Sequence, residues 1–80
     1  MTVARIPVLR WKPEGSLTHF TAALDDENQL VLTYRPSEPH DYRWQLRIRG
    51  LGTDALGVLI VSEPTRELAQ RRADEYIGAA

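Results

Sequence analysis

Two histidines and one acidic cluster are the residues of this chain that could bind a metal or move protons. His19 lies in a predicted strand beside threonines, and His40 lies in a loop that contains two prolines. Neither histidine has a second histidine or a carboxylate at a spacing that metal ligation uses. The acidic turn at residues 25–28 lacks the glycine and the spaced ligands of an EF-hand loop. We therefore predict no metal site and no cofactor.

The nucleophilic side chains give no indication of catalysis. Ser16, Ser37 and Ser62 lie in predicted turns or at a helix start. The glycines at 50 and 52 lack the third glycine and the lysine of a phosphate-binding loop. The chain contains no cysteine, which excludes thiolate catalysis, disulfides and cysteine-based zinc sites. We expect a protein that is not an enzyme and has no catalytic residue.

Regularly spaced arginines are the clearest indication of a binding surface. Residues 42–49, with the sequence YRWQLRIR, alternate between apolar and polar types without a break. This period of two predicts a strand with one buried face. The aromatic and aliphatic side chains, from Tyr42 to Ile48, are expected to face the core. The opposite face then carries Arg43, Gln45, Arg47 and Arg49.

Neighbouring strands are expected to extend this surface. Residues 56–62 are apolar in both phases, so either Leu59 and Val61 or Val58 and Ile60 should face away from the helix. Apolar residues beside arginines are typical of protein interfaces, where the guanidinium binds carboxylates or phosphates. Arg10 or Lys12 could add to the same face. The predicted partner-binding residues are Val31, Arg35, Arg43, Gln45, Arg47, Arg49, Leu59 and Val61.

The sequence leaves several alternatives for the kind of partner that this surface binds. A net charge of -1 and a pI of about 6.1 disfavour binding that depends on phosphate neutralisation. Sheet proteins that bind single-stranded nucleic acid expose aromatic side chains, whereas Tyr42 and Trp44 occupy the core phase here. We therefore favour a protein partner, or a homodimer that packs two such faces together. One alternative is a nucleic-acid-binding module that uses the same arginines. The other is a face that is only solvated and binds no partner.

The elements that would position these residues form one domain, residues 1–80, with residues 1–5 expected to be a flexible tail. Short connections favour antiparallel neighbours. The predicted fold class is α+β, an antiparallel meander of four to five strands with one C-terminal helix packed on one face. We expect the helix to be capped by Ser62 or Thr65 and to end near Gly78. The strands are expected at residues 6–11, 16–24, 29–35, 42–49 and 56–62, with a turn at 12–15, and the inward side of the helix at Leu68, Ala69, Ala73, Tyr76 and Ile77.

Composition places the chain among ordinary globular domains. Hydrophobic residues make up 42% and charged residues 26% of the sequence. No apolar run reaches the roughly 20 residues that a membrane-spanning helix needs, and the N-terminus lacks the apolar core of a signal peptide. With no cysteine either, we expect a cytoplasmic protein without membrane contact.

Residues 42–77 combine an aromatic-x-aromatic strand, a small-residue turn, an apolar strand, a Ser-Glu-Pro helix start and alanines at 69 and 73. This pattern resembles small uncharacterised proteins encoded by phages and actinobacterial genomes. The resemblance implies a meander with a C-terminal helix and no catalytic residues. It also implies a protein that binds and inhibits a host protein, for example a component of the CRISPR or transcription machinery. HicB-like antitoxin domains share the sheet-then-helix order and are a further alternative, although this chain lacks their Pro-x-x-x-Gly-Cys stretch.

Overall fold

One antiparallel sheet and one helix make up the fold. The computed structural model describes residues 9–15, 17–52 and 56–78, so the predicted flexible tail at residues 1–5 lies outside the described residues. A 3-10 helix, His40–Tyr42, precedes the fourth strand, and helix α1, Arg66–Gly78, packs against the third, fourth and fifth strands. The predicted α+β meander with one C-terminal helix is confirmed. The strands, in chain order and in sheet order, are β1 Lys12–Pro13, β2 His19–Ala23, β3 Asn28–Tyr34, β4 Trp44–Gly50 and β5 Val58–Glu63.

The core lies between the middle strands and α1. The sheet register aligns Phe20, Leu32 and Leu46 in one row across β2, β3 and β4. Because side chains alternate along each strand, Leu30 of β3 and Ile48 of β4 fall on the same face, whereas Val31 falls on the opposite one. The helix contributes Ala69 and Ala73, which are fully buried and small enough to let the helix backbone approach the sheet. This face of the sheet is therefore closed by the helix.

Polar contacts fix the start and the orientation of α1. Of the two predicted caps, Thr65 is the one that acts: its Oγ1 accepts a hydrogen bond from the Leu68 N–H at 3.2 Å. The Arg72 side chain donates to the Glu63 carboxylate of β5 at 3.1 Å and to Glu75 at 3.0 Å. The Glu63 and Glu75 carboxylates raise the pKa of Arg72 above its ordinary value, because they accept hydrogen bonds from its charged form.

The first strand is not where the sequence placed it. Residues 12 and 13, expected in a turn, form β1, while residues 9–11 lie outside any strand and residues 6–8 lie outside the described range. In β1, Lys12 pairs with Thr21 and Pro13 with Phe20. The strand is this short because Pro13 has no N–H to donate and the chain bends at Glu14 and Gly15.

Two tyrosines expected in the core are exposed instead. Tyr42 belongs to the 3-10 helix, where its N–H donates to the Pro39 carbonyl at 2.8 Å, and it therefore does not continue the alternation of β4. Tyr76 lies at the margin of the apolar side of α1 and is also exposed. Trp44, the first residue of β4, is partly buried, and its ring centroid lies 5.2 Å from that of Tyr34.

An aspartate closes the hairpin between β2 and β3. Asp25 Oδ1 accepts hydrogen bonds from the backbone N–H groups of Glu27 and Asn28, each at 2.8 Å. These two bonds favour the charged carboxylate and lower the pKa of Asp25 below its ordinary value. The turn that sets the β2–β3 register therefore depends on an ionised side chain.

We expect the stability of the protein to fall on acidification partly through Asp25. Its pKa is lower in the folded than in the unfolded state, so its contribution is complete above the unfolded pKa of about 3.9 and is lost as pH falls through the folded value. Urea unfolding from neutral pH down to pH about 3 should show a shallower loss in Asp25→Asn than in the wild type. Asp26→Asn, one position along the same turn, is the control and should keep the wild-type slope. An unchanged slope in Asp25→Asn would contradict the assignment.

Candidate partner-binding face

The outer face is the side of the sheet opposite α1. Its central row runs from Lys12 through Thr21, Val31 and Arg47 to Leu59, one residue from each strand in the observed register. Alternation along the strands places further polar residues above and below this row. The outer face comprises Lys12, His19, Thr21, Ala23, Gln29, Val31, Thr33, Gln45, Arg47, Arg49, Leu59 and Ser62.

Arg47 is held in place by two neutral acceptors. Its NH1 donates to the backbone carbonyl of Gly57 at 3.2 Å, and its NH2 donates to Gln45 Oε1 at 3.2 Å. One acceptor belongs to β4 itself and the other directly precedes β5, so the guanidinium lies over the sheet rather than extending freely into solvent. The hydrogen bonds restrain the side chain without neutralising its charge.

Arg49 and Arg43 are restrained in the same way. Gln29 is the cross-strand partner of Arg49, and its side-chain oxygen, oriented toward the guanidinium, accepts from Nε at 2.8 Å and from NH2 at 3.2 Å. Arg43 Nε donates to the Glu38 carbonyl at 3.1 Å, which turns this side chain toward the preceding loop. Each of the three predicted arginines on or beside β4 is therefore positioned by an uncharged oxygen.

Among the described residues, no ion pair balances the positive charge of the arginines on or beside β4. In the part of the chain that the structure describes, the ion pairs involve Arg66 and Arg72, both on the helix side of the molecule. Within those residues, no carboxylate lies at ion-pair distance from Arg43, Arg47 or Arg49. A restrained guanidinium loses less entropy when it binds an anion, because its side chain is already ordered.

A shallow depression of about 440 Å³ lies at the β1 end of the outer face. Glu14 lines it, and its carboxylate accepts a hydrogen bond from the Thr21 hydroxyl at 2.8 Å. Arg10 and Lys12 bring two more positive charges to this end of the face. The residues that line the depression are Arg10, Lys12, Glu14, Thr21, Ala23 and Gln29.

Two apolar residues predicted on this face are not available there. Val61 pairs with Leu46 and packs against the helix-side core, so its placement on the outer face is wrong. The reason is a β-bulge: Arg47 pairs with Leu59, which leaves Ile60 as an extra residue, and both Ile60 and Val61 pack against the core. Val31 does lie on the outer face, but only 2% of its surface is accessible.

The remaining predicted residues lie on the outer face or at its rim. Leu59 is on this face and 44% exposed, and Gln45 faces outward and holds Arg47. Arg35 follows β3 and is exposed, and its N–H donates to the Arg43 carbonyl at 2.6 Å, so both residues lie at one end of the sheet. The face is thus more polar than the sequence indicated.

Sequence reasoning missed the groups that orient the arginines. Gln29 shares the outward phase of Val31 and Thr33, so alternation along β3 was a usable signal for its position. Nothing in the sequence predicts that the Gly57 carbonyl binds an arginine, because a backbone carbonyl reaches a side chain ten residues away only where the chain folds back. The chemistry that this arrangement supports is the binding of carboxylates or other anions by oriented guanidinium groups.

The two histidines lie in different elements, His19 in β2 and His40 in the 3-10 helix. His19 Nδ1 lies 3.4 Å from the Thr33 hydroxyl on the outer face. Among residues 9–15, 17–52 and 56–78, no group of three or more His, Asp or Glu side chains could hold a metal ion. Over the same residues, α1 falls short of the length and apolarity that crossing a bilayer requires.

Comparison of the chain with protein-family profiles, with curated proteins and with solved structures gave no match. The likeness of residues 42–77 to phage and actinobacterial proteins therefore stays a prediction.

Proposed function

We propose that this protein is a non-catalytic interaction domain whose outer face binds an acidic surface on a protein partner. The observation that carries the proposal is the set of three arginines on or beside β4, each oriented by a neutral oxygen and none paired with a described carboxylate. Their forked donors match carboxylates, and hydrogen bonds to charged groups contribute about 1.5–3 kcal/mol each. Binding would occlude the partner's surface, and no step of chemistry is needed.

A protein partner is favoured over nucleic acid for two reasons. The described residues of the outer face include no Phe, Tyr or Trp side chain on which a base could stack. The net charge of -1 gives no overall attraction to a phosphate backbone, whereas domains that depend on phosphate contacts carry a basic excess. Arginines without a paired carboxylate bind either carboxylates or phosphates, so an experiment has to distinguish a protein partner from a nucleic acid.

The identity of the partner rests on the resemblance of residues 42–77 alone. On that basis we propose a protein of phage or mobile-element origin that acts in the cytoplasm and inhibits a host protein.

We expect Arg47→Glu to lose its partner. Capture from source-organism lysate with immobilised wild type, Arg47→Glu and Arg71→Glu, followed by quantitative mass spectrometry, tests this. Arg71 is exposed on α1, so its reversal makes the same change in net charge away from the outer face. Recovery of the partner by Arg47→Glu should fall by about tenfold or more, as loss of one charge-assisted contact predicts, and Arg71→Glu should match the wild type.

Two outcomes would contradict this proposal. Equal recovery by all three proteins, each folded by circular dichroism, would leave the outer face a solvated surface only. Capture that disappears after nuclease treatment, and whose affinity falls log-linearly with salt, would assign the arginines to nucleic acid.

A further inference from the structure

The β5 edge is the free side of the last strand, Val58–Glu63, together with the residue Leu56 before it. The sheet order leaves β5 with a single neighbour, β4, among the described strands. One row of its backbone N–H and C=O groups therefore has no strand partner in the described sheet. An open edge of this kind is a template for pairing with another strand.

The two edges of the sheet differ in how they are protected. The β1 edge is two residues long and carries a lysine and a proline, both of which oppose strand addition. The β5 edge has six residues and no lysine, arginine or proline. Its bulge at Ile60 twists the second half, which leaves the Val58–Leu59 half as the regular part at which pairing would begin.

Exposed apolar side chains lie on both sides of this edge. Val58 pairs with Ile48 and so belongs to the helix side of the sheet, yet it is 70% exposed. Leu59 is exposed on the outer face, and Leu56 is exposed just before the strand. A partner bound to one face of the sheet would leave the exposed residues of the other face uncovered. A strand docked at the edge would cover the residues of both faces together.

The helix adds a fourth apolar group to the same side. Arg72 reaches Glu63 of β5, so this side of α1 faces the edge strand. Tyr76 lies one helical turn further along, on the same side, and is exposed.

We propose that the β5 edge pairs with the β5 edge of a second copy of this chain, forming a two-fold dimer with one continuous ten-stranded sheet. Antiparallel pairing of a strand with itself is what a two-fold axis perpendicular to the sheet produces, and it needs only one self-complementary edge. We place Leu59 opposite the Leu59 of the second copy, because this register also sets Val58 opposite Ile60 and so matches apolar residues with apolar residues.

Charge permits this pairing. The only charged residue of β5 is Glu63, and its carboxylate is already paired with Arg72 at 3.1 Å. Arg47 lies on the neighbouring strand, so the two copies of Arg47 are three strand spacings apart, or about 14 Å. That separation exceeds the Debye length of about 8 Å at physiological salt, so their repulsion is largely screened. An acidic partner would be drawn to the arginines rather than to the Val58–Leu59 half of the edge, which carries no charge.

The molecular mass in solution tests the pairing. Sedimentation or light scattering over about 1 µM to 1 mM should show the mass rising from 9.1 kDa toward twice that value. Val58→Lys/Leu59→Lys places charges on the edge and should remain monomeric throughout. Leu17→Lys, at a residue 74% exposed elsewhere, is the control and should dimerise like the wild type. Arg49→Glu changes the outer face at a residue with no β5 partner in the observed register, and it should also dimerise, because the dimer does not depend on the proposed function of the outer face.

Disulfide cross-linking is a second test, because the chain contains no cysteine that could compete with an introduced one. Opposed residues of paired strands lie about 4.5–5.5 Å apart between Cα atoms, a distance that a disulfide can bridge. Leu59→Cys should therefore form disulfide-linked dimers at least tenfold faster than Leu17→Cys under the same oxidant. A wild type that stays at 9.1 kDa at every concentration, or a dimer that persists in Val58→Lys/Leu59→Lys, would overturn the proposal. Equal cross-linking of the two cysteine variants would overturn the register.

Discussion

Leu32→Ala is expected to lower the free energy of unfolding by about 2–5 kcal/mol. Leu32 has no accessible surface and lies in the central strand, with Phe20 and Leu46 directly opposite it on the two neighbouring strands. The shortened side chain leaves a cavity that the sheet register and the helix above cannot close. A chain of this length is expected to have a total stability of roughly 4–12 kcal/mol, so the loss is a large fraction of it.

Leu17→Ala is the control for Leu32→Ala, since it makes the same chemical change at a residue that is 74% exposed. We expect it to stay within about 0.5 kcal/mol of the wild type. Urea unfolding followed by circular dichroism measures both differences from the shift in midpoint. A loss below about 1 kcal/mol for Leu32→Ala would mean that the core does not lie under α1.

Gly57→Ala is expected to cost about 2–5 kcal/mol and to disturb the arginine face at the same time. Gly57 has a φ of 93°, a region where an L side chain costs about 1–2 kcal/mol. A Cβ there would also come within 2.5 Å of the Ile48 carbonyl oxygen and 2.9 Å of Arg49 Cβ, and such overpacking adds about 1–3 kcal/mol. The clash separates β5 from β4 where the Gly57 carbonyl accepts from Arg47.

Gly52→Ala separates these two contributions. Its φ of 72° imposes a similar backbone cost, but no atom lies within 4 Å of the Cβ that would be added. We expect a loss of about 1–2 kcal/mol in Gly52→Ala and normal partner capture, against a larger loss and reduced capture in Gly57→Ala. Equal unfolding free energies for the two variants would contradict the close approach of residue 57 to β4.

Alternation accounts for what could be predicted of the site. In β4, strict alternation fixed which side chains face the helix, and the arginines at 47 and 49 lie on the opposite face as predicted. In β3, the same pattern separated Leu30 and Leu32 from Val31. In β4 the local signal was sufficient because neighbouring residues differ in polarity, so that only one phase buries the apolar set. In β3, where residues 30–32 are all apolar, the polar residues Gln29 and Thr33 share the phase of Val31 and mark it as the outer one.

In the last strand, β5, alternation does not predict which side chains face the core. Residues 58–61 are all apolar, so both phases bury similar side chains and the sequence gives no preference. The bulge opposite Leu46 and Arg47 decides the phase, and it turns both Ile60 and Val61 toward the core. A bulge depends on how two strands meet, and neither strand alone contains that information.

The sequence by itself determined the α+β meander, the C-terminal helix and the basic character of one face, because each follows from local periodicity and short connections. Tertiary structure decided the pairing of Lys12 and Pro13 with β2, the burial of Val31 and the removal of Tyr42 from its strand. It also brought Gly57 and Gln29 to Arg47 and Arg49. These contacts join residues up to about twenty positions apart, and only the assembled sheet brings them within hydrogen-bonding distance.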